Sequence, residues 1–226
     1  MNRCFDLREQ TVRALNGFLH ALPAGIGSVD VLHPDGAHSL AVGVDADVTI
    51  RIAGHAGYYA GGMNKRARVV IEGSAGTGVA ENMMSGEVRV RGDASMSAGA
   101  TMHGGLLVIE GNASLRCGIS LKGGDIVVGG SIGSFSGFMA QAGHIVACGD
   151  AGDALGDSLY EAVIYVRGAI RSLGADARIE PLQAADRETL RRLLSAAGMP
   201  YQPAEFKRVA SARTLYYWNS EADQEY

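Results

Sequence analysis

Aliphatic residues return in pairs, two positions apart, at a fixed interval of nineteen. The pairs are Ile50 and Ile52, Val69 and Ile71, Val88 and Val90, Leu107 and Ile109, Ile126 and Val128, Ile145 and Ala147, and Ile164 and Val166. Residues two apart on a strand share one face, so each pair predicts a short strand with both side chains turned inward. Two residues beyond each pair stands a glycine: Gly54, Gly73, Gly92, Gly111, Gly130, Gly149 and Gly168. Chance would place glycine at seven chosen positions roughly once in a million, so the period is structural. A small or aliphatic column follows at Ala56, Ala75, Ala94, Ala113, Ile132, Ala151 and Ile170. A second corner column reads Gly61, Ala80, Gly99, Gly118, Gly137, Gly156 and Ala175.

Nineteen residues are too few for a helix pair with its turns, which needs about 33 to 47. The pattern therefore predicts an all-β chain whose residues 48–170 form a parallel β-helix of about seven 19-residue rungs. At about 3.3 Å per residue and about 4.8 Å between rungs, the coil has a contour near 60 Å and a length near 30 Å, with a filled interior.

The ends break the period. In residues 1–47, Val12, Leu15, Phe18, Leu19 and Leu22 recur at helical spacing until Pro23 and Gly25, and a short strand follows around Val29 to Leu32. In residues 171–226, Asp186 is placed to cap a helix whose Leu190, Leu193 and Leu194 line one face, and Gly198 with Pro200 ends it. An aromatic tail closes the chain. Terminal rungs expose strand edges and core side chains, so both helical segments are expected to act as caps.

The outward stripe of the strands reads Arg51, Val70, Arg89, Val108, Val127, Val146 and Tyr165. Its early half is charged, with Arg68, Glu72, Glu87, Arg91 and Glu110 alongside and expected to pair between rungs. Its later half is apolar, so something is expected to cover it: the chain's own C-terminal segment, or a partner.

Composition narrows the function. A net charge of −4 gives no electrostatic reason to bind nucleic acid. No apolar run suits a membrane span and no signal or lipidation motif is present, which predicts a cytoplasmic protein. Cys4, Cys117 and Cys148 lack metal-site spacing and are read as reduced thiols with packing roles. Gly73 to Gly78, GSAGTG, lacks both the dinucleotide and P-loop orders. Asp150, Asp153 and Asp157 lie outside any repeat of the calcium β-roll type and are read as solvated turn carboxylates. The six histidines form no HExxH-like pair, and His55 is read as a turn residue. Met83, Met84, Met96, Met102 and Met139 are read chiefly as stacked core fillers, with an adaptable docking surface as the rival. No catalytic, cofactor or metal site is expected in this chain.

The phrases GHAGYYAGGMNKRARVVIEG (54 to 73), GVAENMMSGEVRVRGDAS (78 to 95), GNASLRCGISLKGGDIVVGG (111 to 130), GFMAQAG (137 to 143) and GDAGDALGDSLYEAVIYVRG (149 to 168) resemble the GXGXG family. That family comprises the C-terminal right-handed β-helix domain of the glutamate synthase large subunit and its stand-alone relatives. The FDL and ALNGFLHAL of the N-terminus and the tail FKRVASARTLYYWNS are similar to the stand-alone form, a subunit of N-methylglutamate synthase, also called methylamine–glutamate N-methyltransferase.

The resemblance implies a non-catalytic scaffold in a hetero-oligomer. Its partners would be an amidotransferase-like subunit and a synthase subunit carrying FMN and an iron–sulfur cluster, and the assembly would make N-methylglutamate from methylamine and glutamate. Candidate partner contacts are Glu81, Asn82, Met83 and Met84, then Arg116 and Cys117, then Phe138, Met139 and Gln141, and in the tail Tyr216, Tyr217 and Trp218. The same segments would also serve as corner or tail packing within the chain. Two other readings are a β-helix subunit of a formylmethanofuran dehydrogenase-type complex and an independent β-helix enzyme. Against the first, the N-terminal module and the tail look like the synthase group; the second needs a hexapeptide period or a groove of clustered acids and bases that the sequence does not display.

Overall fold

A computed structural model of the chain describes residues 1–213. It is a parallel β-solenoid. Nine strands stack in chain order: β1 (Asn2–Asp6), β2 (Ser28–Leu32), β3 (Thr49–Ile52), β4 (Arg68–Ile71), β5 (Glu87–Val90), β6 (Leu106–Ile109), β7 (Asp125–Val128), β8 (His144–Ala147) and β9 (Val163–Val166). From β3 to β9 the partners lie nineteen residues apart, Ile50 on Val69, Val69 on Val88, and so on to Ile145 on Ile164. The Ala56 to Ile170 column forms a second ladder of single parallel bridges. Both inward strand columns are fully buried, because each β-branched residue lies on its equivalent in the next rung.

The glycine series is explained by contact. From Gly73 onward each glycine amide donates to the carbonyl of the glycine one rung earlier, Gly92 to Gly73 at 3.0 Å and Gly111 to Gly92 at 3.1 Å. A Cβ on Gly73 would stand 2.8 Å from the Gly54 carbonyl carbon, closer than atoms pack. Another column, Gly86, Gly105, Gly124 and Gly143, opens the strands and was not singled out from sequence. At Gly124, φ is +81° and a Cβ would meet the Gly104 backbone at 2.7 Å, so conformation and space both require glycine there.

The ladder extends before residue 48. β2 pairs with β3, and Ser39, Ala41 and Gly43 repeat the positive φ of Tyr59, Gly61 and Met63 one rung on, at a spacing of twenty. The helix α1 (Val12–His20), capped by Thr11, turns Leu15 and Leu19 into the main core, and Asn16 and His20 bond the Ser39 and Val42 carbonyls. It thereby covers the first full rung.

At the other end the C-terminal segment serves two purposes. The strands β10 (Ala177–Glu180) and β11 (Lys207–Ser211) pair antiparallel, and β11 lies against β9, closing the last rung's edge. The helix α2 (Ala184–Ala197) covers the apolar stripe: Leu190, Leu193, Leu194 and Ala197 pack with Val108, Val127, Val146, Cys148 and Tyr165 in a second core outside the coil. The own-segment reading of that stripe holds. The cap differs from the sequence reading. Gln183 is the N-cap, and Asp186 sits at the third helical position, where its carboxylate accepts the Gln183 amide. Gly198 ends the helix with φ 75°.

Candidate docking surface

Every rung turns its widest corner in the same manner, with left-handed residues at alternate positions. In one rung these are Ser97 (φ 59°), Gly99 (66°) and Thr101 (54°), and the pattern recurs at Arg116, Gly118 and Ser120. In that rung Ala98, Ala100 and Met102 are buried, whereas Met96, Ser97, Thr101 and His103 reach the surface in whole or in part. Because the backbone repeats, those surface side chains form columns. One carries Tyr58, Met96 and Leu115, and others carry Phe135, Met63, Met139 and Met84; all seven are exposed. Phe135 meets Phe138 edge-to-face at 6.4 Å. An apolar corner of this extent is unusual on a free surface.

The structure brings the described candidate contacts to this one corner. Met84, Arg116, Met139 and Gln141 are exposed, and Glu81, Asn82 and Phe138 are half-buried, Asn82 accepting the Thr101 hydroxyl at 2.7 Å. Met83 and Cys117 are withdrawn from the set. Both are 0% exposed and point into the coil, Met83 one rung from Met102. The methionines thus divide: Met83 and Met102 fill the core, whereas Met84, Met96 and Met139 stand in solvent. Spacing alone did not separate them, because neighbours in a corner of alternating hand face opposite ways. Tyr216, Tyr217 and Trp218 lie outside the described residues.

Electrostatics distinguish the corner from the strand face. On the strands Arg68 pairs with Glu87 at 3.3 Å, Arg51 with Glu72 at 2.7 Å and Arg91 with Glu110, as the alternating signs predicted. At the corner, Arg116 and Lys122 are exposed and, among the described residues, make no side-chain ion pair or hydrogen bond. A cavity of about 130 Å³ at the C-terminal end is lined by Arg178, Arg208 and Arg213, but these are neutralised by Glu180, Asp186 and Glu161. Burial pushes the Cys117 and Cys148 thiols up to about 12, which keeps both protonated.

A polar ladder holds the neighbouring face. The side chains of His55, Ser74, Asp93, Asn112, Ser131 and Asp150 each accept the backbone amide of the equivalent residue one rung later, at 2.7 to 3.2 Å. His55 is therefore a turn residue, and Asp150 serves the same ladder. The run of short acceptors one place after each glycine was visible in the sequence and was not read there as a column. Beside the ladder lies a shallow groove of about 540 Å³ floored by Gly133 and Gly152. Among the described residues, no group of three His, Cys, Asp or Glu could hold a metal ion, and no helix is long and apolar enough to cross a membrane.

No protein-family model matches the chain. It is 56% identical over 217 residues to Protein GlxC of Rhizobium meliloti (strain 1021), a match covering 95% of each sequence.

Proposed function

Since the chain belongs with GlxC to a glutamate synthase-related family, we propose that it is the non-catalytic scaffold subunit of a glutamate synthase-like assembly. In this reading it holds an amidotransferase-like subunit and a flavin- and iron–sulfur-bearing synthase subunit in register. The finer assignment proposed is N-methylglutamate synthase, acting on methylamine and glutamate. The supporting observation is an exposed apolar corner, with Tyr58, Met84 and Met96 at its N-terminal end, carried on rungs whose backbone pairs in one register. Passing a small nitrogen species between distant sites without loss to water requires that two catalytic modules keep a fixed separation. A coil in which each rung is bonded to the next keeps surface points at set distances, and flexible methionines adapt to a partner.

Co-expression with the candidate neighbour subunits provides the test. The expected result is a stable hetero-oligomer that forms N-methylglutamate only when methylamine is supplied and all chains are present. Finding this chain monomeric and unable to retain either neighbour would sink the scaffold reading, and a different product would sink only the finer one.

A further inference from the structure

We propose that the C-terminal mouth of the coil is a self-association surface, on which a second copy of this chain docks end to end about a two-fold axis. The mouth is separate from the apolar corner, and the proposal does not rest on the scaffold reading.

The core columns run out at this end. The inward column of the strands passes from Ile145 to Ile164, then to Val209 of β11 and Ile179 of β10. Val209 is 0% exposed, but Ile179, the last of the column, is 54% exposed. Two further columns end at Ile170, stacked on Ala151, and at Leu173, stacked on Leu155; both are half-buried. The backbone is open at the same three residues. Ala169 and Arg171 bond back to Ala151, and Ser172 and Gly174 bond back to Leu155, which turns the peptide groups of Ile170 and Leu173 toward the open end. On β10 the Asp176 carbonyl accepts the Ala212 amide, so alternation along the antiparallel pair gives Arg178 and Glu180 to β11 and leaves the Ile179 amide and carbonyl facing outward. An open edge carrying apolar side chains is a template for another strand.

Two features select a second copy as the occupant. The first is the asymmetry of the ends. At the N-terminal end α1 buries Leu15 and Leu19 over the first full rung, whereas α2 lies on the side of the coil, and among the described residues no helix stands over the C-terminal mouth. A head-to-tail contact is therefore blocked, and mouth meets mouth, an arrangement that closes after two copies. The second is that β10 is self-complementary. Antiparallel pairing centred on Ile179 sets Arg178 of each copy opposite Glu180 of the other, while the two Ile179 side chains continue the core column from one coil into the next. Arg178 and Glu180 already pair within the chain at 2.6 Å, so four charges alternate in sign across the axis. Pro181 has no amide to donate, which ends the strand and favours this register.

The oligomeric state of the isolated full-length chain provides the test. Sedimentation at micromolar concentration is expected to show a dimer that dissociates on dilution. Arg178→Glu sets like charges across the axis and should raise the dissociation constant at least tenfold, while circular dichroism stays native. Ile179→Cys, in a chain whose exposed Cys4 is replaced by Ser, should be locked as a covalent dimer by a mild oxidant. Bonded antiparallel partners stand about 5.5 Å apart between Cα atoms, within disulfide reach. Glu188→Cys, at an exposed position of α2, should not be locked. A chain that stays monomeric would overturn the proposal, whether residues 214–226 or another subunit is then found to shield the Ile179→Cys thiol from alkylation. So would a dimer that Arg178→Glu leaves intact, or one that Ile179→Cys does not lock.

Discussion

The Tyr165 hydroxyl donates to the Asp186 carboxylate at 2.7 Å, joining the outward face of β9 to the first turn of α2. The same carboxylate accepts the Gln183 amide at 2.7 Å and Arg208 at 3.1 Å. Three donors on one nearly buried carboxylate fix where the helix starts on the sheet. Tyr165→Phe keeps the ring and removes one donor, so it should cost about 1–3 kcal/mol, read as a lower midpoint in urea unfolding with an unchanged slope.

Acid should loosen the same joint. Burial alone would raise the Asp186 carboxyl, but the Gln183 amide, Tyr165 and Arg208 outweigh it and hold the group below its ordinary value. Asp125 behaves likewise, with burial outweighed by His144 and Arg192. A carboxylate depressed in the folded state contributes stability that is fully present above its unfolded value, about 3.9, and is lost as pH falls through the folded one. Stability should therefore be level near neutrality and decline below about pH 4. Asp186→Asn should flatten that decline, which thermal melts across pH would show.

The far end of α2 has its own anchor. Arg89, nearly buried on β5, donates to the Ala196 and Ala197 carbonyls at 3.1 and 3.0 Å while pairing with Glu87 and Glu110. A cation on the last carbonyls also suits the helix dipole. Arg89→Met should cost about 2 kcal/mol. Amide exchange should quicken in residues 193–198 before it does in the coil.

Two glycines of like φ separate strain from crowding. Gly198, at φ 75°, has nothing within 4 Å of a built Cβ, whereas Gly124, at φ 81°, would set one against backbone. Alanine at either position should cost about 1–2 kcal/mol for conformation. At Gly124 a further 1–3 kcal/mol or so is expected from overpacking, measurable as the difference between the two unfolding midpoints.

Docking through the early corner predicts a loss of assembly without a loss of fold. Met84→Lys combined with Met96→Lys changes two exposed side chains, so melting should shift by less than about 0.5 kcal/mol. Retention of the neighbouring subunits on an affinity column should fall at least tenfold. Undiminished retention would place the contact elsewhere.

The coil was legible because its residues repeat a local requirement nineteen at a time: paired β-branched residues, then a glycine where two backbones touch. The alternating charges of Arg68 and Glu87 were legible for the same reason, since partners one period apart must be neighbours. Asp186 was misplaced as the cap because Gln183 is a weaker signal for the same role. Met83 and Met84 were read alike, chiefly as core fillers and also as candidate contacts, because which of them turns inward depends on the left-handed residue beside them, Asn82 at φ 55°.

The sequence alone determined the solenoid, its period and register, and the fact that Val108, Val127, Val146 and Tyr165 need a cover. Only the tertiary structure decided that α2 supplies the cover while β11 closes the edge, and that Met84 faces solvent while Met83 does not. Repetition makes long-range contacts predictable because every rung is its own template. A segment that occurs once has no template, and its place is set by whichever surface completes its hydrogen bonds and buries its apolar face.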